Sequence, residues 1–141
     1  MHVQHGGIPF PLPGVVGHEG AGVVERVGSA VTSVAPGDKV LLTFTSCGAC
    51  RNCLLGHPAY CLEFLSRNLL GGRRADGSTT ITRGEDELNA HFGAQAAVST
   101  GGRADERGVT KVAADADLDL LAPLGCGVQT GAGAVLNVLK Q

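Results

Sequence analysis

The sequence contains few aromatic residues, few charged residues and no tryptophan. Aromatic residues make up 4% and charged residues 17% of the 141 residues, and the formal net charge is −2. This balance excludes proteins that bind nucleic acid through a strongly basic surface. No apolar run reaches the roughly 18 residues of a membrane span, and the first residues lack the basic and apolar regions of a secretion signal. We therefore predict a cytoplasmic protein, with no membrane partner, whose thiols stay reduced.

The remaining composition is that of a folded chain. Hydrophobic residues make up 43% of the sequence, close to the average for globular proteins, so the chain can bury a core. Its length is that of one domain. The 22 glycines follow no Gly-X-Y repeat, and this content predicts many turns and little long helix.

Short runs of β-prone residues lie in the first third of the chain, separated by turn sequences such as Pro36-Gly37-Asp38. The runs are residues 15–16, 21–27, 31–34 and 40–44. This spacing predicts antiparallel strands joined by tight turns, as in a small barrel or sandwich.

The rest of the chain carries one hairpin signal, one clear strand and two helices. Asp76-Gly77 predicts a hairpin turn between residues 73–74 and 79–82, and residues 109–112 predict a strand. Residues 115–117 supply an N-cap for a helix starting at Leu118, which Pro123 interrupts. Residues 130–140 predict a second helix with one apolar face. That face consists of Val135, Val138 and Leu139.

Four of the five cysteines form a C-x2-C-x2-C-x7-C pattern within residues 45–62, here called the cysteine lobe. They are Cys47, Cys50, Cys53 and Cys61. Four thiolates this close can enclose a tetrahedral zinc ion. Disulfides are a weaker alternative because the compartment is reducing and the C-x2-C spacing is cramped. An iron–sulfur cluster is the other alternative, but ferredoxins place the fourth cysteine after three residues and follow it with proline. Structural zinc is therefore the favoured interpretation.

A second group of candidate ligands lies outside the cysteine lobe. His18 and Glu19 are adjacent in a glycine-rich turn, and Cys126, the fifth cysteine, lies between two glycines before the last helix. A single cysteine is more often a small buried core residue than a ligand. The residues alone leave both interpretations open.

Three segments in this order resemble the zinc-dependent alcohol dehydrogenases of the medium-chain dehydrogenase/reductase family. They are PLPGVVGHEGAGVVERVGSAVTSVAPGDKV, CGACRNCLLGHPAYC and LGCGVQTGAGAV. The segments NLLGGRRADGS and GCGVQTGAGAVLNVLK are most similar to the aryl or benzyl alcohol dehydrogenase branch. The resemblance implies that residues 1–141 form the GroES-like barrel catalytic domain, mainly β with a few short helices, without the Rossmann domain.

The resemblance also implies roles for individual residues. His18 and Cys126 match ligands of the catalytic zinc, Glu19 matches the acidic residue behind that metal, and Thr130 matches a position beside the nicotinamide ring. The four cysteines of the lobe match the structural zinc ligands. Residues 43–45 are implied to lie near the substrate pocket.

The implied chemistry is oxidation of a primary or aryl alcohol to an aldehyde. The cofactors are zinc and NAD, with the hydride passing from the alcohol carbon to NAD. The implied partner is a small-molecule alcohol or aldehyde, and a homo-oligomer is expected only for a full-length enzyme.

Two departures from the family pattern lead to a further expectation. The family's first catalytic cysteine would fall before Met1, and neither His2 nor His5 occupies the matching position. The family's dinucleotide-binding domain would begin after Gln141. The glycine motifs at 125–127 and 131–133 do not qualify as its fingerprint, because neither follows a strand. We therefore expect a catalytic domain truncated at both ends and inactive alone. The alternative is a stand-alone zinc-stabilised binding module without catalysis.

Overall fold

The computed structural model describes residues 3–139, which form short antiparallel strands and short helices joined by many turns. The strands are β1 (Ala21–Val23), β2 (Lys39–Leu42), β3 (Thr82–Arg83), β4 (Asp86–Glu87) and β5 (Val109–Lys111). The α-helices are α1 (Arg51–Leu54), α2 (Leu118–Leu121) and α3 (Gly127–Gly133). Short 3₁₀ turns lie at Pro58–Tyr60, Glu106–Gly108 and Ala122–Gly125, and π-helical segments lie at Ser66–Leu70 and Ala134–Leu139. The predicted fold class, β structure with a few short helices, is confirmed.

A three-stranded antiparallel sheet brings the distant parts of the chain together. Its order is β1-β2-β5, with Gly22 opposite Val40 and Leu41 opposite Thr110. The central strand β2 is the most buried, and Val40 and Leu41 are its buried residues. Residues just before β1 and just after β2 and α2 therefore meet beside this sheet.

The strand predictions for residues 15–16 and 31–34 were wrong. Residues 31–34 are irregular because their backbone is bound by a side chain: Glu106 Oε1 accepts hydrogen bonds from the N–H groups of Thr32 and Ser33, both at 2.9 Å. The N–H of Val15 donates to Asn89 O at 2.8 Å, and the preceding Gly14 forms an isolated bridge with Asn89, so the pairing does not extend into a strand. The predicted runs at 21–27 and 40–44 contain strands, but β1 and β2 are shorter than the runs.

The turn predicted at residues 36–38 joins β1 to β2. Gly37 has a φ of 90°, a conformation that favours glycine, and its N–H donates to Val24 O at 2.8 Å. Asp38 accepts from the N–H of Ala35 at 2.9 Å and pairs with Lys111 Nζ at 2.7 Å. The hydrogen bond from Lys111, followed by that from Ala35, lowers the pKa of Asp38. This carboxylate therefore links the turn to β5.

The predicted hairpin at Asp76-Gly77 has the turn but lacks the flanking strands. Arg74 donates its N–H to Ser78 O at 3.0 Å, which closes the turn. The Asp76 carboxylate instead accepts from the N–H and the hydroxyl of Ser78, at 2.9 and 2.7 Å. The regular ladder lies further along the chain, where β3 pairs with β4 around Gly84.

The helices near the end of the chain begin at identifiable residues. Asp117 caps α2 by accepting from the N–H groups of Asp119 and Leu120, at 3.1 and 3.3 Å, as the N-cap prediction required. The second helix was predicted at 130–140, but α3 begins at Gly127 and continues as a π-helical segment. Lys140 lies outside the described residues. The predicted apolar face is exposed: Val135, Val138 and Leu139 are 44%, 74% and 61% accessible.

One buried polar side chain connects the cysteine lobe to the rest of the chain. Asn68 is 0% exposed, and its Oδ1 accepts from the N–H of Thr45 at 3.0 Å. Its Nδ2 donates to Thr45 O at 2.9 Å and to Phe64 O at 3.0 Å. The start of the lobe is therefore held by both polar ends of one amide.

None of the helices within residues 3–139 has the length and apolar character that a membrane crossing requires.

Candidate functional site

The four cysteines of the lobe converge on one point. Their Sγ atoms all lie within 4.8 Å of one another, with Cys47 and Cys53 at 3.9 Å and Cys50 and Cys53 at 3.5 Å. A disulfide requires about 2.05 Å, so these distances describe free thiols. Tetrahedral zinc with bonds of about 2.3 Å separates its sulfurs by about 3.8 Å. The donor set and its spacing therefore fit a closed four-sulfur metal site.

Backbone amides in the lobe point at the sulfurs. Cys47 Sγ accepts from the N–H of Cys50 at 3.2 Å, and Cys61 Sγ accepts from the N–H of Cys47 at 3.3 Å. The amide of Cys47 lowers the pKa of Cys61, and the amides of Leu62 and Cys53 lower the pKa of Cys50 to about 6. Such donors favour the thiolate, which is the form that binds metal.

Cys53 shows the opposite shift. Burial, followed by the hydrogen bond with Cys50, raises the pKa of Cys53 to about 11. Packed thiols resist simultaneous ionisation because each new charge faces the others. A divalent cation offsets part of that repulsion, so a bound metal ion would favour the four-thiolate form of the lobe.

His18 and Cys126 meet although 108 residues separate them in the sequence. His18 Nε2 lies 3.3 Å from Cys126 Sγ in a part-buried position. Zinc bonds of about 2.0 Å to nitrogen and 2.3 Å to sulfur place the two atoms about 3.5 Å apart in a tetrahedral site. The pair therefore fits two ligands of one zinc ion.

The imidazole of His18 is held by aromatic rings and by its own backbone. The ring stacks on Phe44 with centroids 5.2 Å apart and meets Phe92 edge-on at 5.5 Å. Gln95 Nε2 donates to His18 O at 3.0 Å. A side chain at Gly93 would collide with the Cβ of His18, 2.6 Å from the added carbon. Three neighbours from residues 92–95 thus fix the position of this ring.

Cys126 is positioned by contacts of the residue before it. Thr43 Oγ1 donates to Gly125 O at 2.6 Å, and Gln129 Nε2 donates to the same oxygen at 2.7 Å. A Cβ at Gly125 would overlap the carbonyl of Leu42 in β2. Glycine before Cys126 is therefore required for its close approach to the sheet.

Glu19 and Thr130 both interact with Cys126. The exposed carboxylate of Glu19 accepts from the N–H of Gly127 at 2.7 Å, at the start of α3. Burial, followed by the charge of Glu19, raises the pKa of Cys126, whereas a hydrogen bond from the exposed Thr130 lowers it. The structure thus brings together all four residues assigned by resemblance outside the lobe.

The two groups differ in the number of ligands they supply. Among residues 3–139, the cysteine lobe is the only place where three or more potential ligand side chains converge. His18 and Cys126 form a pair without a third protein ligand in this part of the chain. His5 is exposed and belongs to no such group, and His2 lies outside the described residues.

Residues 43–45 divide between the two groups. Phe44 stacks on the ring of His18, and Thr43 donates to the carbonyl of Gly125, the residue before Cys126. Thr45 instead bonds to Asn68 behind the lobe. Sequence reasoning missed Gln95, which is only 3% exposed. It could have been noticed as the one polar residue in the run of small apolar residues FGAQAA.

Comparisons with known proteins show the family of the chain. Residues 1–104 match the family model described as alcohol dehydrogenase GroES-like domain. Geraniol dehydrogenase of Castellaniella defragrans is 47% identical over 133 residues, covering 94% of this chain and 36% of that protein.

Two solved structures are similar over almost the whole chain. The alcohol dehydrogenase zinc-binding domain protein from Burkholderia ambifaria has a TM-score of 0.88 and 50% identity, covering 94% of this chain and 36% of that one. Benzyl alcohol dehydrogenase from Acinetobacter calcoaceticus has a TM-score of 0.89 and 43% identity, covering 99% of this chain and 37% of that one. The chain thus spans about 36 to 37% of the length of these three relatives.

The family resemblance inferred from the GHE motif, the cysteine lobe and the Gly-Cys-Gly motif is confirmed by these matches. The chain belongs to the family of alcohol dehydrogenase GroES-like domains.

Proposed function

We propose that this chain is the zinc-binding catalytic domain of an NAD-linked alcohol dehydrogenase that oxidises primary or aryl alcohols to aldehydes. One observation carries the proposal. In a chain of this family, His18 Nε2 lies 3.3 Å from Cys126 Sγ, although the two residues are 108 positions apart in the sequence. Relatives named for geraniol and benzyl alcohol support the substrate class.

Two zinc sites are part of the proposal. The catalytic ion is held by His18 and Cys126, and the structural ion by the four cysteines of the lobe. When bound, catalytic zinc supplies a Lewis acid for an alcohol oxygen, and NAD supplies the hydride acceptor. Phe44 and Phe92 orient the imidazole through their ring contacts, and Thr130 is the residue assigned to the cofactor in this proposal.

We also propose that residues 1–141 do not oxidise alcohols on their own. Catalytic zinc sites use three protein ligands and leave one position open, and the described residues bring only two together at His18. A stand-alone zinc-stabilised binding module is the second candidate, favoured by the fact that only the lobe has a full set of ligands within residues 3–139.

Metal analysis of the purified chain tests the cysteine lobe, since His18 and Cys126 supply only two ligands to the other site. We expect about one tightly held zinc per chain, lost in Cys47→Ser and retained in His18→Ala. Visible spectra of the cobalt-substituted chain should show a four-thiolate site. An iron–sulfur spectrum of the chain as purified, before cobalt substitution, would contradict zinc in the lobe.

A chimera tests the activity. Residues 9–139 replace the equivalent segment of geraniol dehydrogenase, and alcohol-dependent NAD reduction is measured with geraniol and benzyl alcohol. We expect activity that is lost in the His18→Ala chimera. A folded, zinc-loaded chimera without activity would favour the binding module. Reduction of NAD by the 141-residue chain alone, above its His18→Ala control, would refute the proposed inactivity.

A further inference from the structure

Arg107 lies directly against the loop that carries two of the lobe's sulfurs. It belongs to the 3₁₀ turn Glu106–Gly108, and a Cβ added to Gly48 would overlap its guanidinium. Gly48 follows Cys47, has a φ of 71°, and points its N–H at Cys53. The guanidinium therefore covers the backbone between Cys47 and Cys50, where any larger residue than glycine would displace it.

Arg67 approaches the lobe through a different segment. Its Nε donates to Glu63 Oε2 at 2.8 Å, and the N–H of Glu63 in turn points at Cys61. The hydrogen bond that Arg67 donates to Glu63, and further the charges of Cys47 and Cys61, raise the pKa of Arg67. The two arginines thus each contact a residue whose amide faces a sulfur.

The turn that carries Arg107 is fixed by contacts outside the lobe. Asp105 Oδ1 accepts from the N–H of Arg107 at 2.9 Å, and Glu106 binds the N–H groups of residues 32–33. Gly108 O accepts from the N–H of Thr43 at 2.8 Å, next to β2. The guanidinium is therefore presented to the lobe by the sheet and its neighbouring loops.

The charge of the zinc-loaded lobe explains how an arginine at this position can stabilise it. Four thiolates around one divalent cation leave a net negative charge on the complex, and residues around the ligands orient and tune a metal site. We propose that Arg107, with Arg67 as the weaker partner, is a positioning residue that stabilises the metal-loaded cysteine lobe by charge.

Arg107 is the stronger partner because it forms no ion pair within residues 3–139, whereas Arg67 is paired with Glu63. This inference rests on the proposed zinc site in the lobe.

The test measures zinc transfer from the purified chain to a coloured chelator in excess. The variants are Arg107→Ala, Arg107→Lys and Arg67→Ala, with Arg103→Ala as the matched control on the same exposed segment. We expect Arg107→Ala to release zinc about three to ten times faster than the control, an effect kept modest by solvent exposure. Arg107→Lys should recover part of the difference, and Arg67→Ala should change the rate less.

Repeating the measurement at high salt distinguishes an effect of the Arg107 charge from an effect of its packing. At ~1 M salt the screening length falls to about 3 Å, so the difference between Arg107→Ala and the control should shrink. A salt-independent difference would assign Arg107 a packing role and overturn the proposal, as would equal rates in Arg107→Ala and Arg103→Ala. Failure of the unsubstituted chain to bind zinc would instead refute the metal site itself.

Discussion

Replacing Asn68 by alanine should destabilise the whole chain, because this side chain makes three hydrogen bonds from a fully buried position. The substitution leaves the N–H and C=O of Thr45 and the C=O of Phe64 without these partners. Each buried group that loses its partner costs about 1–3 kcal/mol, and Phe64 O is the least buried of the three. We expect a loss of about 3–5 kcal/mol, a large part of the roughly 5–15 kcal/mol of a typical domain.

The assay is equilibrium unfolding of the zinc-loaded chain in urea, followed by circular dichroism. Asn68→Asp keeps the size of the side chain but directs a carboxylate oxygen at two carbonyls, so it should also be strongly destabilising. Asn137→Ala is the matched control, because Asn137 is exposed in the last helical segment, and it should change the stability by less than about 0.5 kcal/mol. A loss below about 1 kcal/mol in Asn68→Ala would refute the argument from hydrogen bonding.

Two other substitutions have defined outcomes. The pKa of Asp38 is lowered in the folded chain, so its stabilising effect is present above the unfolded-state pKa of about 3.9 and is lost as pH falls through the folded value. Asp38→Asn should therefore lower the urea midpoint at pH 7, and the difference from the unsubstituted chain should shrink as the pH is lowered toward and below about 3.9. A difference that does not change with pH would contradict the ion pair with Lys111. Gly125→Ala should cost about 1–3 kcal/mol because the added methyl overlaps Leu42 O, and it should move Cys126 away from His18. The control Gly22→Ala has open space within 4 Å in β1; a crystal structure of Gly125→Ala with the pair unmoved at 3.3 Å would refute the positioning argument.

Sequence patterns predicted those features whose interacting residues lie close together in the chain. The cysteine spacing predicted the lobe because all four ligands lie within one short segment, and Asp117 predicted the start of α2 because an N-cap acts on the next two or three amides. The turn at residues 36–38 followed from Gly37 in the same way.

The failures came from contacts across the chain. The run at 31–34 has strand propensity, but Glu106, more than 70 residues away, binds its amides. Propensity describes how a residue fits a pleated surface and cannot report whether a neighbouring strand exists. Gln95 was missed for the same reason, since its importance lies in binding His18 O across 77 residues.

The His18–Cys126 pair was predicted only through the family resemblance. No spacing rule joins two ligands 108 residues apart, because their meeting depends on the sheet order β1-β2-β5 and on the glycine at position 125. The resemblance therefore supplied what local physical rules could not.

The difference in sequence span between the two groups sets an order of assembly during synthesis. The lobe's first and last cysteines are 14 residues apart, so a nascent chain can load this ion soon after Cys61 leaves the ribosome. His18 emerges early but must wait for Cys126, and closing so long a loop is slower and entropically more costly. In a zinc-limited cell, ribosome-bound chains should therefore carry metal in the lobe before the second pair exists.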